Sequence, residues 1–457
     1  MSHTATPQVL VPGGGLSFLP QRSHIPEYFV ATQIVSQLLL LFGPGGSLRI
    51  ALRILEFAFS LALLVLAQPT LCSKPHPSRN AALLVLAIVG LEWFHPYTNT
   101  AVAGMAQAAM YAAILGPLFW IPHLSLDMSS LRRLILILFV FHVASAGTGL
   151  LQIYFPDQFQ PPLSSVIAAN PAQAEGLKIT LDSGRRVFRP LGLSDTPGGA
   201  GVSGMFAILF GLAFLLIERN WLIKAACLGA ITLGLAAIYL SEVRSALVVV
   251  LIWLVALAAF MVRSKNWKQL GTVVMGLLLV AVLGFHWATS IAGKSVTKRF
   301  ATLGSNTGKV YQSERGHFFE DTFNVLLPRY PLGAGLARYG MMNYYFGNND
   351  NPKRASIWVE IQWTAWLLDG GIPLTLAYVL ALALCFSSAL RLLRRPGSVG
   401  LWAAIIVSYD IGIISNTLDY SPFVGQMGLE FWLLNALLIA AAQSEPDPRM
   451  FLPMWRR

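Results

Sequence analysis

The feature that most constrains this chain is a series of apolar stretches of bilayer length, of which SEVRSALVVVLIW opens one. About 20 apolar residues cross the hydrocarbon core of a membrane as a helix, and only helices or closed barrels satisfy their backbone groups there. The composition agrees. Hydrophobic residues make up 55% of the 457 residues and charged residues 12%, against roughly 25% charged in a typical soluble protein. The reading is an all-α polytopic membrane protein. The opening segment MSHTATPQVLVPGGGLSFLPQRSHIP lacks a basic start followed by an unbroken apolar core, so the first span is expected to do the targeting.

About twelve spans are expected, at 27–43, 48–67, 80–94, 101–121, 131–154, 199–217, 221–241, 244–262, 270–290, 356–388, 399–417 and 424–443. One set of connections carries Lys74 and Arg79, Arg132 and Arg133, Arg219 and Lys224, Arg263, Lys265 and Lys268, and Arg391, Arg394 and Arg395. The alternate short connections carry few basic residues, with Arg244 the exception. The positive-inside rule places the first set, and both termini, in the cytoplasm. The same pattern explains the net charge of +11 as a topology signal rather than a nucleic-acid surface.

Two long connections then fall on the far side, at 155–198 and 291–355, over a single membrane domain spanning 1–457. Connections of that length are usually functional or disordered, and these two carry structural patterning. GLKITLDSGRRVFRPLGL reads as a β-hairpin about Asp-Ser-Gly, and SERGHFFEDTFNVLLP has helical spacing at Phe318, Phe319, Phe323 and Leu326. Cys72, Cys227 and Cys385 are far apart and suggest neither a disulfide framework nor a metal site. HExxH, P-loop, GxSxG and DxD patterns are absent, so no metal and no cofactor is expected. GAGLARYG lacks the strand–helix context of a phosphate loop.

The same far side gathers Arg185, Arg186 and Arg189, Arg244, Arg315 and His317, and Lys353, Arg354 and Glu360. A guanidinium stays charged and forms bidentate hydrogen bonds to phosphate oxygens, so an arginine cluster at a membrane surface suits a lipid-borne diphosphate. The alternative is that each arginine pairs with an acid such as Glu242 or Asp195, or with a lipid headgroup. Glu360 lies in RASIWVEIQWTAWLLDGGIP, expected inside an apolar run. It is either an ion-pair partner of one of these arginines or a base toward a sugar hydroxyl. Asp410, Asn416 and Glu430 are expected to bind helices together, and His142 to be a satisfied core histidine.

Four segments in order resemble the O-antigen ligase and O-antigen polymerase superfamily of bacterial envelope proteins: FRPLGLSDTPGGAGVSGMFA, SEVRSALVVV, SERGHFFEDTFNVLLPRYPLGAGLARYG and WLLDGGIP. The match picks out Arg189, Arg244, Arg315, Gly333 and Gly335. The ligases of the family carry a His-Asn pair where this chain has Glu360 and Ile361. That departure favours the polymerase branch. The resemblance implies a metal-independent, inverting membrane glycosyltransferase of GT-C-like fold, in the bacterial inner membrane. Its donor would be a glycan on undecaprenyl diphosphate, and a chain-length regulator would be a further partner. Glu360 and Arg244 would be catalytic, and Arg186, Arg189, Arg244 and Arg315 would hold the diphosphate, with His317 and Arg354 nearby. The other readings are a ligase acting on lipid A core and a lipid-linked glycan flippase or transporter.

Overall fold

A computed structural model describes residues 22–445, apart from 44, 68–73, 163–170, 182, 264, 266, 306–307 and 309–310. Cys72 lies outside the described residues. The long helices are α1 (Ile25–Leu41), α2 (Gly46–Leu66), α3 (Arg79–Glu92), α4 (Ala101–Leu115), α5 (Met128–Tyr154) and α6 (Gly199–Ile217). They continue with α7 (Trp221–Ser241), α8 (Arg244–Arg263), α9 (Trp267–Ser305), α10 (Gln362–Leu392), α11 (Ser398–Asn416) and α12 (Gln426–Ser444).

Each long helix falls on one of the expected spans. By length and composition, eight helices among the described residues can cross a membrane, or nine if α4 and the bent continuation Pro117–His123 count as one span. The 43° bend there follows the Gly116-Pro117 step, where proline cannot continue the hydrogen-bond ladder. The short α1 and α3 and the charged α2 fall outside that set. The chain is thus an all-α protein with multiple apolar helices of membrane-spanning length.

Two boundaries differ from expectation. The ninth span was expected to end at 290, yet α9 runs on to Ser305 across a break at Gly293. The tenth was expected to start at 356, yet α10 starts at Gln362. Residues 355–360 form an extended approach to it, held where Ile357 N–H donates to Arg338 O at 2.6 Å. Glu360 therefore stands just outside the helix, not within an apolar run.

α12 is central, with Phe431, Trp432, Leu433 and Leu434 buried, and it touches α4, α5, α10 and α11. Asn435 donates to Asp410 at 2.7 Å, tying α12 to α11 as expected. His142 departs from expectation. It stacks on Phe206 at 4.6 Å with neither ring nitrogen hydrogen-bonded, its Nε2 4.0 Å from Glu430.

Charges sort to the two ends of the bundle. At one end Arg133 pairs with Glu27 at 2.9 Å, Arg132 with Glu218, and Arg395 donates to Ala442 O at 2.6 Å. These are members of the basic set. The other end holds the starts of α2, α6, α10 and α12 and receives both long connections. The first connection includes a hairpin, as expected: β1 (Lys178–Thr180) pairs antiparallel with β2 (Arg186–Phe188). In the second, Gln312–Arg329 is helical, with π turns at Gln312–Gly316 and Thr322–Leu326.

The two ends predict a labelling pattern. With the native cysteines replaced, an Asp350→Cys variant should react with a membrane-impermeant maleimide in intact cells. A Ser398→Cys variant should react only after permeabilisation. The reverse pattern would place the end bearing Glu360 in the cytoplasm.

Candidate functional site

The site begins with a break in α10. Gly371 has φ +62°, a left-handed conformation that costs a residue with a Cβ. The break exposes backbone groups, and residues 331–334 fill them. Ile372 N–H donates to Pro331 O at 2.9 Å and Ala334 N–H donates to Leu368 O at 2.7 Å. The adjoining Asp369 is fully buried, and its Oδ2 accepts from Gln107 at 3.1 Å, from Tyr111 at 2.7 Å and from Tyr339. Gly335, at φ +81°, lies so close to residues 97–98 that a Cβ would come within 2.4 Å of Thr98 N. The GAGLARYG segment is therefore a clamp between α10 and the α3–α4 turn. Arg338 completes it: buried, it donates to Ala355 O at 2.8 Å and Ala334 O at 3.1 Å. Two of its acceptors are main-chain carbonyls, one of them on the approach to Glu360.

With that connection fixed, its helical part lies along the start of α10. Thr322 and Thr364 hydroxyls meet at 2.5 Å, and Phe319 and Phe323 pack against Trp363 with ring centroids 6.4 and 6.3 Å away. Arg315, at the head of this helical segment, reaches Glu360. Its Nη1 lies 2.7 Å from Glu360 Oε2 and its Nε 3.3 Å from Asp419 Oδ1. All three side chains are partly exposed, at 34%, 23% and 31% respectively. An ion pair between Glu360 and one of these arginines was one of the two expected readings; the structure identifies the arginine as Arg315 and adds Asp419.

Asp419 belongs to the α11–α12 turn, which organises this end of the bundle. Gln362 N–H is shared between Thr417 O and Tyr420 O, both at 3.1 Å, and Gln362 Oε1 accepts from Phe423 N at 2.7 Å. Ser421 donates to Glu360 O at 3.3 Å and Tyr311 to Leu418 O at 3.2 Å. On its other side, Tyr420 lies within electrostatic reach of Arg53. Arg53 and Arg49, on the first turns of α2, both bond Asp195 Oδ2. Asp195 is placed by Gln152 of α5, which accepts from Leu191 N at 2.8 Å and Gly192 N at 2.9 Å.

The remaining arginines lie at the same end of the bundle. The turn bearing Arg244 abuts the start of α6, where a Cβ on Gly198 would meet Val243 at 3.2 Å. Glu242 in that turn holds φ +52°, an uncommon conformation for a residue with a side chain. Arg189 is half-buried at the end of the hairpin, its N–H donating to Leu177 O at 2.9 Å. Arg186 pairs with Glu175 at 2.8 Å and Arg185 with Asp157 at 2.5 Å, both on the exposed hairpin side. His317 and Arg354 are exposed, and the Arg354 carbonyl accepts from Asn99 at 2.7 Å. Among the described residues neither Arg186 nor Arg354 is bonded to Arg315 or Glu360.

Arg49, Arg53 and Asp419 were missed by the sequence reading. A signal for the first two was present: two arginines and Glu56 within one expected span, at its far-side end, are more ionisable groups than a lipid-facing helix accommodates. Asp419 carried none, because its partner lies 104 positions away. No family model matches the chain, and no curated protein matches it. Among the described residues no group of three or more His, Cys, Asp or Glu side chains is arranged to hold a metal ion.

The clamp gives a stability prediction. A Cβ on Gly371 would stand 2.2 Å from Pro331 O, and the backbone conformation alone costs about 1–3 kcal/mol. Gly371→Ala should lower the thermal midpoint in detergent. Gly276→Ala, in a helix with open space around it, should not.

Proposed function

We propose that this protein is a membrane glycosyltransferase that polymerises undecaprenyl-diphosphate-linked repeat units at the periplasmic face of the bacterial inner membrane, with both termini in the cytoplasm. The observation that carries the reading is the Arg315–Glu360 pair, backed by Asp419, at the end of the bundle where both long connections meet. A transferase of this kind needs a base for the incoming hydroxyl and cations for the departing diphosphate, side by side at a membrane surface. The resemblance of four sequence segments to the O-antigen ligase and polymerase superfamily supports the same reading.

In the reaction, an acceptor sugar hydroxyl attacks the anomeric carbon of the donor from the face opposite the diphosphate. The new glycosidic C–O bond forms as the bond to the diphosphate oxygen breaks. The hydroxyl proton passes to Glu360, and polyprenyl diphosphate leaves carrying the bonding electrons. General base catalysis of this type contributes roughly 10²–10⁴-fold. Arg315 orients Glu360 in the resting site, and cationic groups around it stabilise the charge that develops on the leaving group. Arg244 and Arg189, on segments flanking the start of α6, are assigned to the diphosphate. Arg186, paired with Glu175 on the hairpin, is assigned to the same group.

The test is mass analysis of lipid-linked glycans in cells lacking the protein and complemented with variants. Single repeat units should accumulate on the outer side of the membrane. Glu360→Gln should fail to restore polymer while the protein is present at normal level. Arg315→Lys should lose at least about tenfold in rate, because a point charge cannot bridge two carboxylates as the guanidinium fork does. Long polymer stranded on the carrier would make the protein a ligase. Units trapped facing the cytoplasm would make it a flippase. Wild-type chain lengths with Glu360→Gln would remove Glu360 from catalysis.

A further inference from the structure

Arg49 and Arg53 form a second cationic centre that the proposed reaction does not use. They stand one turn apart at the start of α2 with side chains 6% and 23% exposed, and both direct Nη2 to the same oxygen, Asp195 Oδ2. Asp195 is itself 12% exposed. Each guanidinium carries five N–H donors in a planar fork, so one carboxylate oxygen uses little of what the pair offers. The Nε groups of both arginines are buried without a hydrogen-bond partner. Glu56, one to two turns inward, lies within electrostatic reach of Arg53 and Asp195. Donors therefore exceed the acceptor that joins them, and a buried donor left unpaired is costly.

The surroundings suit an amphiphile. Leu48, Ile54 and Leu55 on the same helix are exposed, as is Phe42 just before it. A buried guanidinium, Arg49, and a partly exposed one, Arg53, beside exposed apolar side chains fit a ligand with a phosphate head and a hydrocarbon tail. Phosphate presents several oxygens in tetrahedral array and accepts from two guanidinium forks at once.

We infer that Arg49 and Arg53 form a phosphate-binding site at the mouth of α2, occupied by the phosphate group of a membrane lipid, with Asp195 holding the two guanidiniums in place until the phosphate takes over their donors. The inference rests on the proposed membrane setting for the lipid tail, but not on glycosyl transfer.

The test is native mass spectrometry of the full-length protein released from detergent, with undecaprenyl phosphate as the probe. Phosphatidylcholine, whose phosphate is masked by its choline, is the comparison. Arg53→Gln should weaken probe binding roughly tenfold, the loss expected when a charged hydrogen-bonding partner is removed. Asp195→Asn should retain or tighten binding, because it removes the carboxylate that competes for the same donors. A merely structural ion pair gives the opposite result, with Asp195→Asn losing binding alongside Arg53→Gln. That outcome, or equal binding of the probe by all variants, would overturn the site. Arg53→Lys provides a milder variant should Arg53→Gln fail to fold. Displacement of the probe by millimolar inorganic phosphate would show that the head alone is recognised. Resistance to it would show that the lipid is the ligand. The loss in Arg53→Gln should add to any loss caused by Arg244→Gln, so binding at this site and at the proposed diphosphate site is read separately.

Discussion

The arrangement depends on the broken tenth helix. A helix interrupted at Gly370-Gly371 leaves backbone donors and acceptors unpaired in the buried interior of the bundle. Here the interruption is repaired by another part of the same chain, residues 331–334, through Pro331 O and Ala334 N–H. Asp369 strengthens the repair by accepting three side-chain donors on one oxygen. The cost of the break is thus offset by docking the large connection onto the bundle. Once docked, that connection has little freedom in where Arg315 falls.

From that anchor outward, positions are passed on by main-chain hydrogen bonds rather than by the reactive groups themselves. Arg338 O holds Ile357, and Arg338 side-chain donors hold Ala334 and Ala355. Gln362 holds the α11–α12 turn from both sides, and that turn presents Asp419 to Arg315. Glu360 sits between two such fixed segments. A carboxylate and a guanidinium on mobile loops would exchange partners with solvent. On these supports the pair keeps one geometry.

The sorting of charge along the bundle gives the two ends different jobs. At the basic end, Arg132 and Arg133 tie helix termini together through Glu218 and Glu27. At the other end the arginines converge on shared carboxylates, two on Asp195 and one bridging Glu360 and Asp419. The first pattern fastens helix termini to one another; the second gathers cationic donors onto shared acceptors.

The sequence by itself determined the positions of the long helices and the hairpin, because apolar length and strand alternation are local properties read within one window. It also singled out Arg315 and Glu360 as candidates, since ionisable groups stand out against an apolar background. It placed Glu360 on the wrong side of a helix start, because Trp358 and Val359 extend the apolar pattern past the point where the backbone turns helical. It could not reveal that Arg315, Glu360 and Asp419 are one group, nor that Arg49 and Arg53 share Asp195. Those associations join residues 45, 104, 146 and 142 positions apart. Only the tertiary structure decided them, because pairing across such separations depends on which helix ends the packed bundle brings together, and no local pattern encodes that.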